Sequence, residues 1–256
     1  MTQDKTRLER DVLGELSVPD DVLWGIHTAR ALKNFAVSGV TLSSQPALIA
    51  ALGHVKVAAA RANAEIGVLD TRLADAIVIA GREVAGGAHD ADFPLEIVQG
   101  GGGTSTNMNA NEVIANRANQ LLGGRAGDYT PVHPNDHVNR SQSTNDVYPT
   151  AIQLAVLSAS DSTLAGLVHL EKTIEQKATS LGELERIGRT CLQDALPLPA
   201  AAAHHAQATA LARVRAGVSL LSRFCERDPS KNFVQTDLAH HWANFCSKSQ
   251  APAPWT

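Results

Sequence analysis

The chain has 256 residues, a formal net charge of −4 and only 4% aromatic residues. That length supports a substantial core in one large domain or two small ones, and the mildly acidic balance gives no electrostatic reason to expect nucleic acid or a membrane surface as partner. The N-terminus, MTQDKTRLERD, is polar and charged rather than signal-like, and no apolar run is expected to approach the roughly 20 residues that span a bilayer. Cys191, Cys225 and Cys246 are an odd number without CxxC spacing, so a cytoplasmic protein without a disulfide framework is expected.

Residues 1–35 read as an irregular arm, because Gly14, Pro19 and Gly25 interrupt any long helix. A clear helix follows: Ser43 or Ser44 can cap it, Pro46 suits its first turn, and Gly67 lies just past its end. Leu48, Ala51, Leu52, Val55, Ala59, Ala62 and Ile66 fall on one face at helical spacing. A second amphipathic helix covers about residues 72–85, with Leu73, Ile77, Ala80 and Val84 inward. Residues 95–99 form a short strand or extended segment leading to Gly100–Asn111, GGGGTSTNMNAN. A helix from about Asn107 stops at Gly123-Gly124. The stretch from Tyr129 to Asp146 carries Pro131, Pro134 and three asparagines and reads as a loop. A long apolar helix from about Val147 to Ala178 suits a bundle core. A third polar stretch, Gly188–Pro197, precedes an Ala-rich helix over about residues 200–223. The expected architecture is all-α: a helical N-terminal domain over 1–140, a partial bundle over 141–223, and a loosely ordered tail over 224–256.

Four consecutive glycines cannot sit inside a stable helix or strand; they belong where backbone turns tightly or approaches a ligand. The hydroxyls and amides that follow stand at a helix N-terminus, which favours anions, with a carboxylate the obvious small candidate. Three stretches share this character: Gly100–Asn111, His133–Asp146 and Gly188–Asp194. Brought to one pocket, such a donor-rich, weakly charged set suits a small polyanion whose transition state gains charge on oxygen. Alone, Thr104, Ser143 and Thr144 read equally well as caps. His133 and His137 flank a proline-broken loop without a matching Cys/His pair, which argues against zinc. GxGxxG spacing in a strand–turn–helix unit is absent, which argues against a dinucleotide. Cys191 reads as a small buried residue.

The motifs GGGGTSTNMNANEVIANRA, VHPNDHVNRSQSTNDVYPTAIQLA and GRTCLQDALP, with the arm RLERDVLGELSVPDDVLWGIHTARALKNF, resemble the aspartase/fumarase superfamily over roughly residues 7–198. GTSTNMN, SQSTND rather than SQSSND, and GIHTARA are more similar to aspartate ammonia-lyase than to class II fumarase. The resemblance implies a mostly helical homotetramer with sites shared between subunits and no cofactor or metal. The implied reaction is reversible elimination of ammonia from L-aspartate, through an aci-carboxylate carbanion, to give fumarate. It further implies that Thr104, Ser143 and Thr144 bind carboxylate, Asn145 contacts the amino group, and Thr190 lines the site. His133, Asn135 and Asp136 match a secondary anion site. The alternatives are a fumarase-type hydro-lyase and a non-catalytic subunit co-assembling with a full-length paralogue. Cys191 stands where relatives carry His or Gln, and no LGQE follows Leu198. The family's GSS-x-MP-x-K-x-N loop, source of the proposed base serine, does not occur in this sequence, so a truncated chain with impaired or absent activity is expected.

Overall fold

Pro46 opens the first long helix, where its fixed φ suits the turn and its missing N–H costs nothing. A computed structural model describes residues 5–225, with side chains as far as 219; beyond Cys225 the expected tail, with Cys246, lies outside the described residues. The class is mainly α, as the sequence implies: strands among the described residues are confined to two two-stranded hairpins. The described residues fall into two units that part between Ala155 and Val156.

In the first unit the expected irregular arm is instead a hairpin, β1 (Thr6–Asp11) with β2 (Gly14–Pro19), followed by α1 (Ile26–Asn34). The strand pattern is concealed because the hairpin is inverted: Leu8 is 64% exposed while Glu9 is 3% exposed. Glu9 is held by Arg7 Nε at 2.8 Å, and the Arg7 guanidinium also donates to the carbonyls of Pro19, Val22 and Trp24.

The next two helices are α2 (Pro46–Glu65) and α3 (Thr71–Ala85), the latter capped by Asp70, which accepts from the amides of Arg72 and Leu73. The expected serine caps of α2 are not used. Ser43 and Ser44 belong to a short 3-10 turn, and the cap position is Gln45. Residues 95–99 form no strand, only a bridge between Thr41 and Glu96. Two glycines let α2 and α3 approach closely: a Cβ on Gly53 would stand 2.7 Å from both the Gly81 carbonyl and the Ala85 nitrogen. Because those neighbours are backbone, the helices themselves must separate. Gly53→Ala is therefore expected to lower stability by about 2 kcal/mol in urea unfolding, and a loss below half of that would contradict this packing.

The centre of the unit is α4 (Thr104–Leu121), which starts three residues before the expected Asn107. Val113, Ile114 and Ala118 are fully buried, and so are Asn109, Glu112, Asn116 and Asn119. The asparagines earn this by bonding backbone: Asn109 to Asp92, Asn116 to Leu23, and Asn119 to both sides of Val132. Asn116 and Asn119 use both amide atoms in this way, as buried amides must, whereas Asn109 leaves its Oδ1 without a partner.

α5 (Thr144–Ser180) is longer than the expected 147–178. It buries Val147, Ala151 and Leu154 in the first unit, but Ile152 is 42% exposed. By length and composition α5 could cross a membrane, with a window of mean hydropathy 1.4. A count of uninterrupted apolar runs misses this, because Ser158, Ser160, Asp161, Ser162 and Thr163 break the run.

In the second unit, the rest of α5 runs antiparallel to α6 (Ala202–Cys225), since Glu171 pairs with Arg215 at 2.9 Å and Glu175 with His205 at 3.0 Å. Between them the third polar stretch is the hairpin β3 (Glu185–Thr190) and β4 (Gln193–Pro199). Its two-residue turn needs positive φ at both positions, and Cys191 (48°) and Leu192 (63°) adopt it. Cys191 is accordingly exposed, not buried as expected.

Candidate functional site

Two of the three polar stretches meet in the first unit, at the N-termini of α4 and α5. Gly103 caps α4 at φ 86°, a left-handed conformation suited to glycine. The Tyr148 ring, from the second turn of α5, lies directly over it: a Cβ on Gly103 would stand 2.3 Å from Tyr148 Cδ1. One turn into α4, the buried Asn107 divides its Nδ2 hydrogens between Thr144 Oγ1 and Asn139 Oδ1, each at 3.1 Å. Because Thr144 Oγ1 accepts from Asn107, its own proton is left for another acceptor. The first turns of both helices thus meet at one locus.

The other expected residues of these stretches sit around that locus. Thr104 is exposed and rests its hydroxyl on the Gly101 carbonyl at 2.7 Å. Ser143 is exposed and caps α5, its Oγ accepting from the Asn145 amide at 3.3 Å. Asn145 is exposed beside it. Capping and ligand binding are compatible for Ser143, because the cap uses a lone pair and leaves the hydroxyl proton. Thr190 ends β3 in the second unit, exposed and adjacent to Cys191.

The stretch read as a loop contains a π-helical turn, Pro134–Val138. His133 Nδ1 accepts from the amides of Asn135 (3.3 Å) and Asp136 (3.2 Å), so the three residues assigned to a secondary anion site form the cap of that turn. The His133 amide in turn donates to His137 Nδ1 at 2.8 Å. Burial pushes the His137 imidazole below the ordinary histidine range, partly opposed by Asp136.

Three residues outside the sequence-based set complete the arrangement. Lys56 of α2, fully buried, donates from Nζ to Asn139 Oδ1 at 3.0 Å and to Gln142 Oε1 at 2.9 Å. Gln142 also donates to the Val138 carbonyl at 2.8 Å, tying the loop ahead of α5 together. Burial holds the Lys56 amine well below the usual lysine range. One signal for it was present: a lysine four residues after Leu52 and three before Ala59 stands on the inward stripe of an Ala-rich helix.

The Lyase family profile matches residues 14–222. Class II fumarate hydratase of Nitrosomonas europaea is 49% identical over 196 residues, and that of Thermosynechococcus vestitus is 51% identical over 199. Those alignments cover 76% and 77% of this chain but 42% of each relative, so the chain spans about two fifths of their length. Among solved structures, fumarate lyase:delta crystallin from Brucella melitensis matches with a TM-score of 0.80 and 41% identity, over 95% of this chain and 57% of that one. Recombinant class II fumarase from Schistosoma mansoni matches at 0.73 and 32%, over 97% and 55%. These relatives favour the fumarase-type alternative over aspartate ammonia-lyase. The cues for the latter are three short motifs, GTSTNMN, SQSTND and GIHTARA, and identity across nearly 200 residues outweighs them. The chain belongs to the Lyase family, within the aspartase/fumarase superfamily.

Proposed function

We propose that this chain carries the carboxylate-binding part of a fumarase-type hydro-lyase site, serving the reversible addition of water to fumarate. The observation that supports this most is the Asn107–Thr144 bond, which locks two helix N-termini beside each other with a hydroxyl proton to spare. Removing a proton next to a carboxylate places negative charge on its oxygens, in an aci-carboxylate. Fixed donors aimed there stabilise that charge more than they stabilise the ground state. Ser143 and Thr144 fill this role, Thr104 joins them when its hydroxyl leaves the Gly101 carbonyl, Asn145 contacts the departing hydroxyl, and Thr190 adds a donor in the assembled site. Proton abstraction falls to the family's GSS-x-MP-x-K-x-N loop, in an oligomer with sites shared between subunits.

The test is fumarate formation, followed by ultraviolet absorbance, from L-malate and separately from L-aspartate. The chain is assayed alone and after co-refolding with a full-length class II fumarase inactivated at its own SQSSND loop but intact in its serine loop. Malate turnover is expected on mixing, and Thr144→Val in this chain is expected to reduce it about 100-fold, the usual loss for one oxyanion donor. Turnover of aspartate but not malate would overturn the hydro-lyase reading.

A further inference from the structure

We infer that Lys56 is a positioning residue of the dicarboxylate site, a buried amine whose donated hydrogen bonds set the direction of the Thr144 hydroxyl and whose positive charge is fully called up when a carboxylate arrives to answer it. This rests on the fumarase-type reading above. Lysine is among the side chains least often buried without a charged partner, yet Lys56 is 0% exposed and among the largest fully buried side chains. Among the described residues no carboxylate lies within ion-pair distance of it. Its partners are the neutral oxygens of Asn139 and Gln142.

The polarity of the whole relay follows from that amine. An ammonium only donates, so Asn139 must turn its oxygen toward Lys56 rather than its NH2. That same oxygen then receives Asn107 Nδ2, which obliges Asn107 to present its other N–H to Thr144 Oγ1. Thr144 must accept, which leaves its proton for an acceptor outside the relay. Asn107 Oδ1 is buried without a hydrogen-bond partner, so nothing on that side opposes the arrangement. With an apolar residue at position 56, the Asn139 amide is free to turn over and Thr144 free to donate inward. The fold retains a costly buried amine where a methionine of similar length would pack, and the relay leads from that amine to the ligand hydroxyl.

Binding of fumarate and of unreactive succinate by the 256-residue chain, measured by titration calorimetry together with thermal melting, tests this. Lys56→Met is expected to melt at or above the wild-type temperature and to bind both dicarboxylates at least tenfold more weakly. Asn139→Asp, which supplies a counter-charge inside the fold while keeping the amine, is expected to weaken binding as much without loss of stability; it decides the matter if Lys56→Met does not fold. Unchanged binding in Asn139→Asp or in a folded Lys56→Met, with Thr144→Val weakened, overturns the role of Lys56 alone. Loss of binding only in proportion to lost stability assigns Lys56 to structure and likewise overturns it. A wild-type chain that binds neither dicarboxylate overturns the functional reading and this inference together.

Discussion

Replacing Glu112 with alanine is expected to lower the stability of the first unit by about 4 kcal/mol, read as a fall in urea midpoint at unchanged slope. The first amides of a helix have no intrahelical partners, and the cap residue of α1 is Gly25, which has no side chain to offer. Two carboxylates from elsewhere take its place. Glu112 of α4 accepts from the amides of Gly25 (3.0 Å), His27 (2.8 Å) and Thr28 (3.1 Å) and from Thr28 Oγ1 (2.7 Å), while Glu9 accepts from Ile26 at 2.8 Å. All four leading N–H groups of α1 are satisfied this way. Burial pushes the Glu112 carboxyl above its ordinary range, and the Thr28, His27 and Gly25 donors pull it back. Truncation to alanine strands four donors, three of them buried. Glu112→Gln is a graded control: its NH2 can occupy the Oε1 position, which faces only His27, so one bond is lost and about 2 kcal/mol is expected. Glu65→Ala, at an exposed position, should change stability by less than about 0.5 kcal/mol. An alanine variant within 1 kcal/mol of wild type would mean that water replaces the carboxylate and that α1 needs no such cap.

The same residue marks the boundary of what the sequence discloses. The helical spans of α2 through α6 are legible because apolar periodicity, Pro46, Gly67 and the Gly123-Gly124 stop are local signals. So is the character of the Gly100–Asn111 and His133–Asp146 stretches, and their meeting was inferred from shared chemistry. The two hairpins are not legible. In the first, the apolar alternation is inverted by a buried Glu9. In the second, the burial pattern is almost uniformly exposed, so no inward face is written into the residues. Nor can Glu112, Asn107 or Lys56 be assigned partners from sequence, since those partners lie 84–87, 32–37 and 83–86 positions away. Polar side chains on the inward faces of α2 and α4 were visible as exceptions to the apolar pattern, but only the fold shows what each exception bonds.

Gly103→Ala is expected to cost about 3 kcal/mol of stability and to weaken fumarate binding about 100-fold, because it strikes a place where α4 and α5 approach each other over a missing side chain. Two separable effects contribute. Alanine in the left-handed region costs about 1 kcal/mol wherever it occurs. The remainder is steric: the new Cβ would meet Tyr148 Cδ1, Cγ and Cε1 at 2.3, 2.4 and 2.5 Å. Cγ is the root of the ring, so rotation about the ring axis cannot relieve the overlap. Tyr148 must change χ1 or α5 must shift, and a shift separates Thr144 from Asn107 and ruins the shared locus. Gly102 provides the comparison within the same loop, for it too has positive φ (62°) but nothing within 4 Å of an added Cβ. Gly102→Ala should therefore show the backbone cost alone, about 1 kcal/mol, with binding retained. The double variant Gly103→Ala/Tyr148→Ala should recover the steric part, an interaction of about 2 kcal/mol in a double-mutant cycle. If Gly102→Ala and Gly103→Ala behave alike, or if removing the ring restores nothing, the contact between Gly103 and Tyr148 does not seat the two helices, and the Asn107–Thr144 bond must be maintained by the loop beneath it instead.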